Sequence, residues 1–224
     1  MSDFKVHARN RVKRLPERGH YDRETIYGII DEAMICHVGF VQDDRPFVIP
    51  ALHARDGDRL LIHGASTSRL LRHLQEGNEV SVSIAILDGL VLAKTVFNHS
   101  VNFRSVVLFG RGGLIEDEKE KLLALEHFTE RITPGQWQRA RLPNRKELKA
   151  TAIVSIKIED ASAKIRSGPP KDDGEDKELP VWAGVLPIKG MLQAPVRASY
   201  TDGDLPAPEQ LTQSVSKRLE KGLA

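Results

Sequence analysis

A single cysteine, Cys36, stands in 224 residues, so no internal disulfide forms and nothing marks an oxidising compartment. An excess of either charge is missing too. Lys+Arg 33 against Asp+Glu 31 leaves +2, which gives no global electrostatic case for nucleic acid or an anionic membrane. No apolar stretch is long enough to span a bilayer: the longest, Val80 to Val96, is interrupted by Asp88 and Lys94. Near the N-terminus, Lys5, Arg9, Arg11, Lys13 and Arg14 have no apolar segment behind them, which argues against a secretory signal. HExxH, a Walker loop, GxGxxG and a Ser-centred nucleophile elbow are all absent. The eight histidines are scattered without ligand spacing, so no metal site is expected. These absences point to a cytoplasmic protein that contacts neither nucleic acid nor membrane.

What is present suits one substantial domain with its own core: 40% hydrophobic and 29% charged residues. Residues 1–20 read as a basic arm, extended or mobile until something docks it. Asp22 is placed to cap a helix carrying Ile26, Ile29, Ile30 and Ala33 on one face. The period then shortens to two. Ile35 to Val41, Phe47 to Ala54 and Arg59 to His63 read as an antiparallel meander, with turns at 42–46 and 55–58. A small-residue turn, Gly64 to Ser68, leads into a short helix from Arg69 to Gln75. Glu79 to Leu87 and Leu90 to Phe97 read as strands joined at Asp88-Gly89. Further strands run from Ser105 towards Ile115 and from Ala152 to Ile158. Helices are expected over Glu116 to Ile132 and Arg145 to Ala150. Ser167 to Pro180 is a loop, Val181 to Ile188 a last strand, and 191–224 a tail whose helix near Glu209 to Lys221 is marginal alone. The domain proper is 21–190. Short strands in hairpins, with helices between them, predict a small antiparallel β-barrel with helical insertions, an α+β arrangement.

Three segments have the chemistry of a binding site. His63-Gly64-Ala65-Ser66-Thr67-Ser68-Arg69 sets hydroxyls and a guanidinium beside the free amides of a helix start, which suits a phosphate; alternatively, Ser66 or Ser68 only caps the helix. Phe97 to Ser105 packs His99, Asn102, Phe103, Arg104 and Ser105 between apolar strands, groups able to read a planar heterocycle, or else forms a surface loop. Lys164 and Arg166 precede an acidic loop, from which Trp182 returns; they face an anionic ligand or pair with Asp172, Asp173 and Glu175. Gly110-Arg111-Gly112-Gly113 reads as a bulge or bend within a strand, and Cys36 as buried filler.

Several stretches together resemble the pyridoxamine 5′-phosphate oxidase-like superfamily of flavin-binding split-barrel proteins, in its nitroimidazole-resistance branch. They are Arg18 to Asp22, Cys36 to Phe40, Phe47 to Pro50, the His63 to Arg69 turn, Asp88 to Ala93, His99 to Val107, Lys164 to Pro170 and Val181 to Val185. The resemblance spans Arg14 to Pro187. It implies a six-stranded split barrel and a homodimer with a flavin in the groove between subunits, FMN ahead of FAD. By the same resemblance Val48, Ile49 and Pro50 line the isoalloxazine, while His63, Gly64, Ala65, Ser66, Ser68 and Arg69 hold the phosphate. His99, Asn102, Phe103, Arg104 and Ser105 lie at the ring or ribityl chain, with Lys164, Arg166 and Trp182 closing from the C-terminal side. Phe103 stands where tyrosine is more usual, which removes a hydroxyl but keeps the stacking face. His99 is the candidate for proton transfer. The implied activity is a flavin-dependent oxidoreductase acting on a small planar substrate. No separate substrate-phosphate site is visible, so pyridoxamine phosphate oxidation is not implied. The rivals are a non-catalytic flavin or haem binder and, through the Arg9 to Arg18 arm, a nucleic-acid binder.

Overall fold

The computed structural model describes residues 3–190 and 192–203, with positions 205, 207 and 213 beyond them. The elements are β1 (Gly19–His20), α1 (Arg23–Glu32), β2 (Ile35–Gln42), β3 (Arg45–Asp56), β4 (Arg59–Ala65), α2 (Arg69–Gln75), β5 (Glu79–Leu92), β6 (Ser100–Leu114), α3 (Glu118–Ile132), α4 (Arg145–Ala150), β7 (Thr151–Lys157), β8 (Asp160–Arg166) and β9 (Gly184–Pro187). Their antiparallel pairings close a ring of six strands, β6-β7-β4-β3-β2-β5 and back to β6; β8 and β1 extend the sheet beside β6, and β9 beside β5. The expected six-stranded split barrel is therefore what the chain builds.

Two long strands make the closure. The first half of β3 pairs with β2, and His53 to Asp56 pair with β4. In β6, Phe103 to Phe109 pair with β8, and Gly112 to Leu114 pair with β7. Gly110 lies at that change of partner, where a Cβ would run into the Lys157 carbonyl; Gly112 backs onto the main chain of Leu74 at the end of α2. The glycine-rich stretch is thus a bend that needs close backbone approach.

Alternation sends Cys36, Val38 and Phe40 of β2, Val80, Val82 and Ile84 of β5, Val106 and Leu108 of β6, and Val154 and Ile156 of β7 into one core. Ile26, Ile29 and Ile30 of α1 and Leu70, Leu71 and Leu74 of α2 complete it. Each such side chain contributes about 1.5–3 kcal/mol on burial. A second cluster of Ala54, Leu61 and Ile153 lies beneath Ala124 and Phe128 of α3. Asp22 caps α1 by accepting from the Thr25 amide at 2.8 Å. The thiol of Cys36 is fully buried, and desolvation pushes its pKa up to about 12, as suits filler rather than a nucleophile.

Three expectations change. Asp88-Gly89 is not a hairpin turn: β5 continues through it with a bulge, and the chain reverses over residues 93–99. The glycine is required because β9 crowds this point, its Leu186 carbonyl 3.0 Å from where a Cβ would sit. Residues 160–166 form an additional strand, β8, which the sequence reading did not separate from its surroundings. The basic arm is docked, and what docks it is the barrel itself. Phe4 is buried against Tyr27, Asn10 donates to the Ala161 carbonyl at 3.3 Å, and Arg9 pairs with both Glu79 and Asp160. The helix expected near Glu209 to Lys221 falls, at all but one position, outside the described residues. No helix among the described residues is long and apolar enough to cross a membrane.

Candidate functional site

The strands β3-β2-β5-β6-β8 form one broad sheet whose outer face no helix covers. Register gives its composition directly. One cross-strand row reads Val48, Gly39, Ser81, Phe109, Asp160, and the next reads Pro50, His37, Ser83, Val107, Ser162. Leu52, Ile35, Leu87 and Val101 extend the exposed apolar surface. Gly39 leaves room here for its β5 neighbour, since a Cβ would meet the Ser81 hydroxyl at 2.9 Å. Val48, at the β3 end of its row, is 68% exposed.

On one side of this face lies the small-residue turn. Ala65, Ser66 and Thr67 are exposed, and Ser68 occupies the N-cap of α2 without a side-chain capping bond. The hydroxyl is therefore not consumed by the helix, and the first amides of α2 have no intrahelical acceptor. Arg69 forms no ion pair among the described residues, and its guanidinium lies over the Phe47 ring at 4.4 Å. That contact sets the turn beside the first half of β3, next to Val48 and Pro50. Ile49 points the other way, against the core. His63 also turns away: its ring packs on Phe128 at 4.4 Å, and burial lowers its pKa.

On the other side, Phe103, Ser105 and Lys164 share the outer face of β6 and β8, with Ser105 opposite Lys164 and Phe103 opposite Arg166. Lys164 donates to the Arg14 carbonyl at 2.9 Å, so the docked arm takes part of its capacity. Asn102 is buried; it donates to the Gly168 carbonyl at 3.1 Å and accepts from Arg166. Neither Lys164 nor Arg166 pairs with the acidic loop, whose Asp172 instead accepts from the Lys94 amide at 3.0 Å. Arg104 points inward and is held by carboxylates, donating to Glu32 at 2.7 Å and to Asp88 at 2.7 and 3.0 Å. Those anions hold its pKa well above the ordinary guanidinium value. His99 is exposed at the β5–β6 connection, its Nδ1 within 2.8 Å of the Thr95 carbonyl. Trp182 is 61% exposed, and its ring lies across Gly184.

A third feature went unnoticed in the sequence. A groove of about 580 Å³ opens where the outer face meets the end of α2; Phe40, Phe47, Phe109, Val48, His73 and Arg9 are among the residues lining it. The His73 ring sits 4.4 Å from Phe40, which itself stacks on Phe47. Its Nε2 is shielded from solvent and has no hydrogen-bond partner. Only tertiary structure shows this, because position 73 reads simply as the buried stripe of a short helix.

The two outer strips do not meet within one chain. β3 and β6 are separated by β2 and β5, three strand spacings or about 14 Å. A closed six-stranded barrel with an open apolar face, flanked by an anion-suited turn, defines a ligand-binding split barrel. The chain belongs to the pyridoxamine 5′-phosphate oxidase family, whose profile matches residues 22–165. Among solved structures, the flavocytochrome Anf3 from Azotobacter vinelandii is 41% identical with a TM-score of 0.84, over 90% of this chain and 94% of that one. The FAD and haem binding protein from Mycobacterium smegmatis is 34% identical with a TM-score of 0.83, over 87% and 97%. A 5-nitroimidazole antibiotic resistance protein from Bacteroides thetaiotaomicron shares the fold at 21% identity and a TM-score of 0.55, over 66% and 86%. No curated protein matches.

Proposed function

We propose that this protein is a homodimeric, cytoplasmic flavin- and haem-binding redox protein, with the flavin held between two copies of the outer sheet face. The observation that carries this reading is the likeness, over nearly the full length of both chains, to the flavocytochrome and to the FAD and haem binding protein. The second of these favours FAD over FMN as the flavin, and both make haem a companion to it rather than a rival. The residues fit a flavin. Ser68 has an uncommitted hydroxyl and Arg69 no carboxylate partner, beside amides free to meet a phosphate. Val48 and Pro50 offer an apolar surface on which a planar ring can lie.

The separation of the two strips supports a second copy. A flavin reaching both the β3 strip and the β6–β8 strip needs the second strip from another chain, applied face to face by a two-fold axis. The partner's Phe103 would then stack, its Ser105 and Lys164 would offer hydrogen bonds, and its Trp182 would close over the ring. Ile49, Gly64 and Ala65 would contribute main chain only. We assign Asn102, Arg104 and Arg166 to holding β6, β8 and α1 in place, and His63 to packing under α3. His99 keeps an open Nε2 with which to pass a proton to a small planar substrate.

Bound flavin supplies hydride or single-electron transfer, and haem supplies one-electron chemistry. The protein grips the phosphate, presents an apolar bed and excludes water. The test is the visible spectrum of protein purified from haem-replete cells, followed by chromatography of the released cofactors. Flavin bands with a Soret band, and FAD in the supernatant, are expected. A colourless protein that takes up neither FAD nor haem would overturn the reading.

A further inference from the structure

We infer that the turn between β5 and β6 is an anchor for the second copy: its Phe97 beds against the other subunit and carries His99, on the same turn, towards that subunit's flavin. The inference rests on the proposed dimer, and deepens it by naming the element that reaches across. Phe97 is 94% exposed and Val96 87%, and no aromatic side chain among the described residues is barer than Phe97. The pair stands on a built turn. The Asn98 amide donates to the Thr95 carbonyl at 3.2 Å, and the His99 amide to the Val96 carbonyl at 3.3 Å. Lys94 ties the turn to the segment before β9, its Nζ donating to the Leu179 carbonyl at 2.5 Å. Large apolar side chains held out on an already ordered turn lose little freedom on docking, which is what an interface anchor needs.

The turn continues the face assigned to the dimer. Leu186, Leu90 and Val101 pair in one cross-strand row, all three exposed, and Val101 leads through Phe103 and Ser105 to Val107 along the outer side of β6. The strand geometry also says which copy the turn serves. His99 lies eight residues before Val107, whose row contains Pro50, so it is about 26 Å along the strands and about 14 Å across them from that row's β3 end. His99 therefore cannot reach the Val48–Pro50 bed of its own chain. Only four residues separate it from Phe103, the residue placed against the flavin of the other copy. Its Nδ1 donates to the Thr95 carbonyl at 2.8 Å, which steadies the ring and leaves the lone pair on Nε2. A lipid surface is the other occupant a bare apolar tip could meet, and the neighbouring loop argues against it. Residues 171–178 carry five carboxylates against two lysines, and Asp172 accepts from the Lys94 amide at the base of the turn. Such a loop is repelled by an anionic bilayer.

The experiment uses the full-length protein with its bound cofactors. A photoreactive p-benzoylphenylalanine is placed at position 97 and irradiated, and the products are resolved by mass. Sedimentation equilibrium gives the dimer dissociation constant of wild type, Phe97→Ser and Val196→Ser, the last removing a side chain as bare as Phe97 but on the C-terminal segment. Irradiation should yield a covalent dimer. A two-fold dimer loses two copies of the anchor at once, each worth about tenfold, so Phe97→Ser should raise the dissociation constant by about 100-fold. Val196→Ser should leave it unchanged, and both variants should keep the wild-type circular dichroism. Adducts confined to the irradiated chain, or a wild-type constant in Phe97→Ser, would overturn the inference alone. So would sedimentation of wild type with phosphatidylglycerol vesicles that Phe97→Ser abolishes, which would make the turn a lipid anchor. A wild type that stays monomeric at every concentration would overturn the dimer of the proposed function, and this inference with it.

Discussion

Individual side chains divide into those committed to the fold and those left open. Ser68 and Arg69 are open. Removing the guanidinium in Arg69→Ala should weaken flavin binding by about 10–100-fold, the equivalent of one charge-assisted hydrogen bond, and Ser68→Ala by about fivefold. Fluorescence titration of the apoprotein checks both; unchanged dissociation constants would remove the turn from the site. His53 is committed, and burial pushes its pKa from 6.5 down to about 4. The unfolded chain therefore binds the extra proton first. The stability this group sustains is complete above pH 6.5 and declines as pH falls towards 4, by roughly 3 kcal/mol in all. Urea midpoints at pH 7 and pH 5 should show that decline, and His53→Leu should flatten it.

At the level of elements, legibility followed the range of the interactions that decide each one. Asp22, the Ile26–Ile30 spacing and the β2–β3–β4 meander were readable because caps, turns and alternation act over a few residues. Asp88-Gly89 misled because the same dipeptide serves a hairpin turn or a bulge, and what selects the bulge is β9, nearly a hundred residues away. β8 was hidden for a related reason: Asp160 to Arg166 is a weak strand sequence alone and is fixed by pairing with β6 on one edge and β1 on the other. In the site, the Gly64–Arg69 turn was legible from its small residues and hydroxyls. The inward commitment of Arg104 to Glu32 and Asp88 was not, since it joins three distant elements. Arg104→Ala should leave two carboxylates facing each other without a cation and cost about 1–3 kcal/mol, while flavin affinity per folded dimer stays unchanged. Denaturation and titration together separate those effects. Gly110→Ala, which forces a Cβ onto the Lys157 carbonyl, should lower stability by about 1–3 kcal/mol and shift the urea midpoint without altering the m-value.

For the whole molecule, the open face of β3-β2-β5-β6-β8 is the dominant fact. It exposes Val48, Leu52, Ile35, Leu87, Val101 and Val107 on a single sheet, a surface a lone chain in water rarely leaves bare. The same face carries the two ligand-suited strips too far apart for one chain to unite. Dimerisation and flavin binding are therefore one event in this account, and Val107→Asp, in the middle of the face, should abolish both together. The direct measurement is size-exclusion chromatography with light scattering and full visible absorbance on the wild-type protein. The account predicts a single peak at the mass of two 25.0 kDa chains, with flavin absorbance co-eluting throughout. A monomer that carries a full complement of flavin would contradict it.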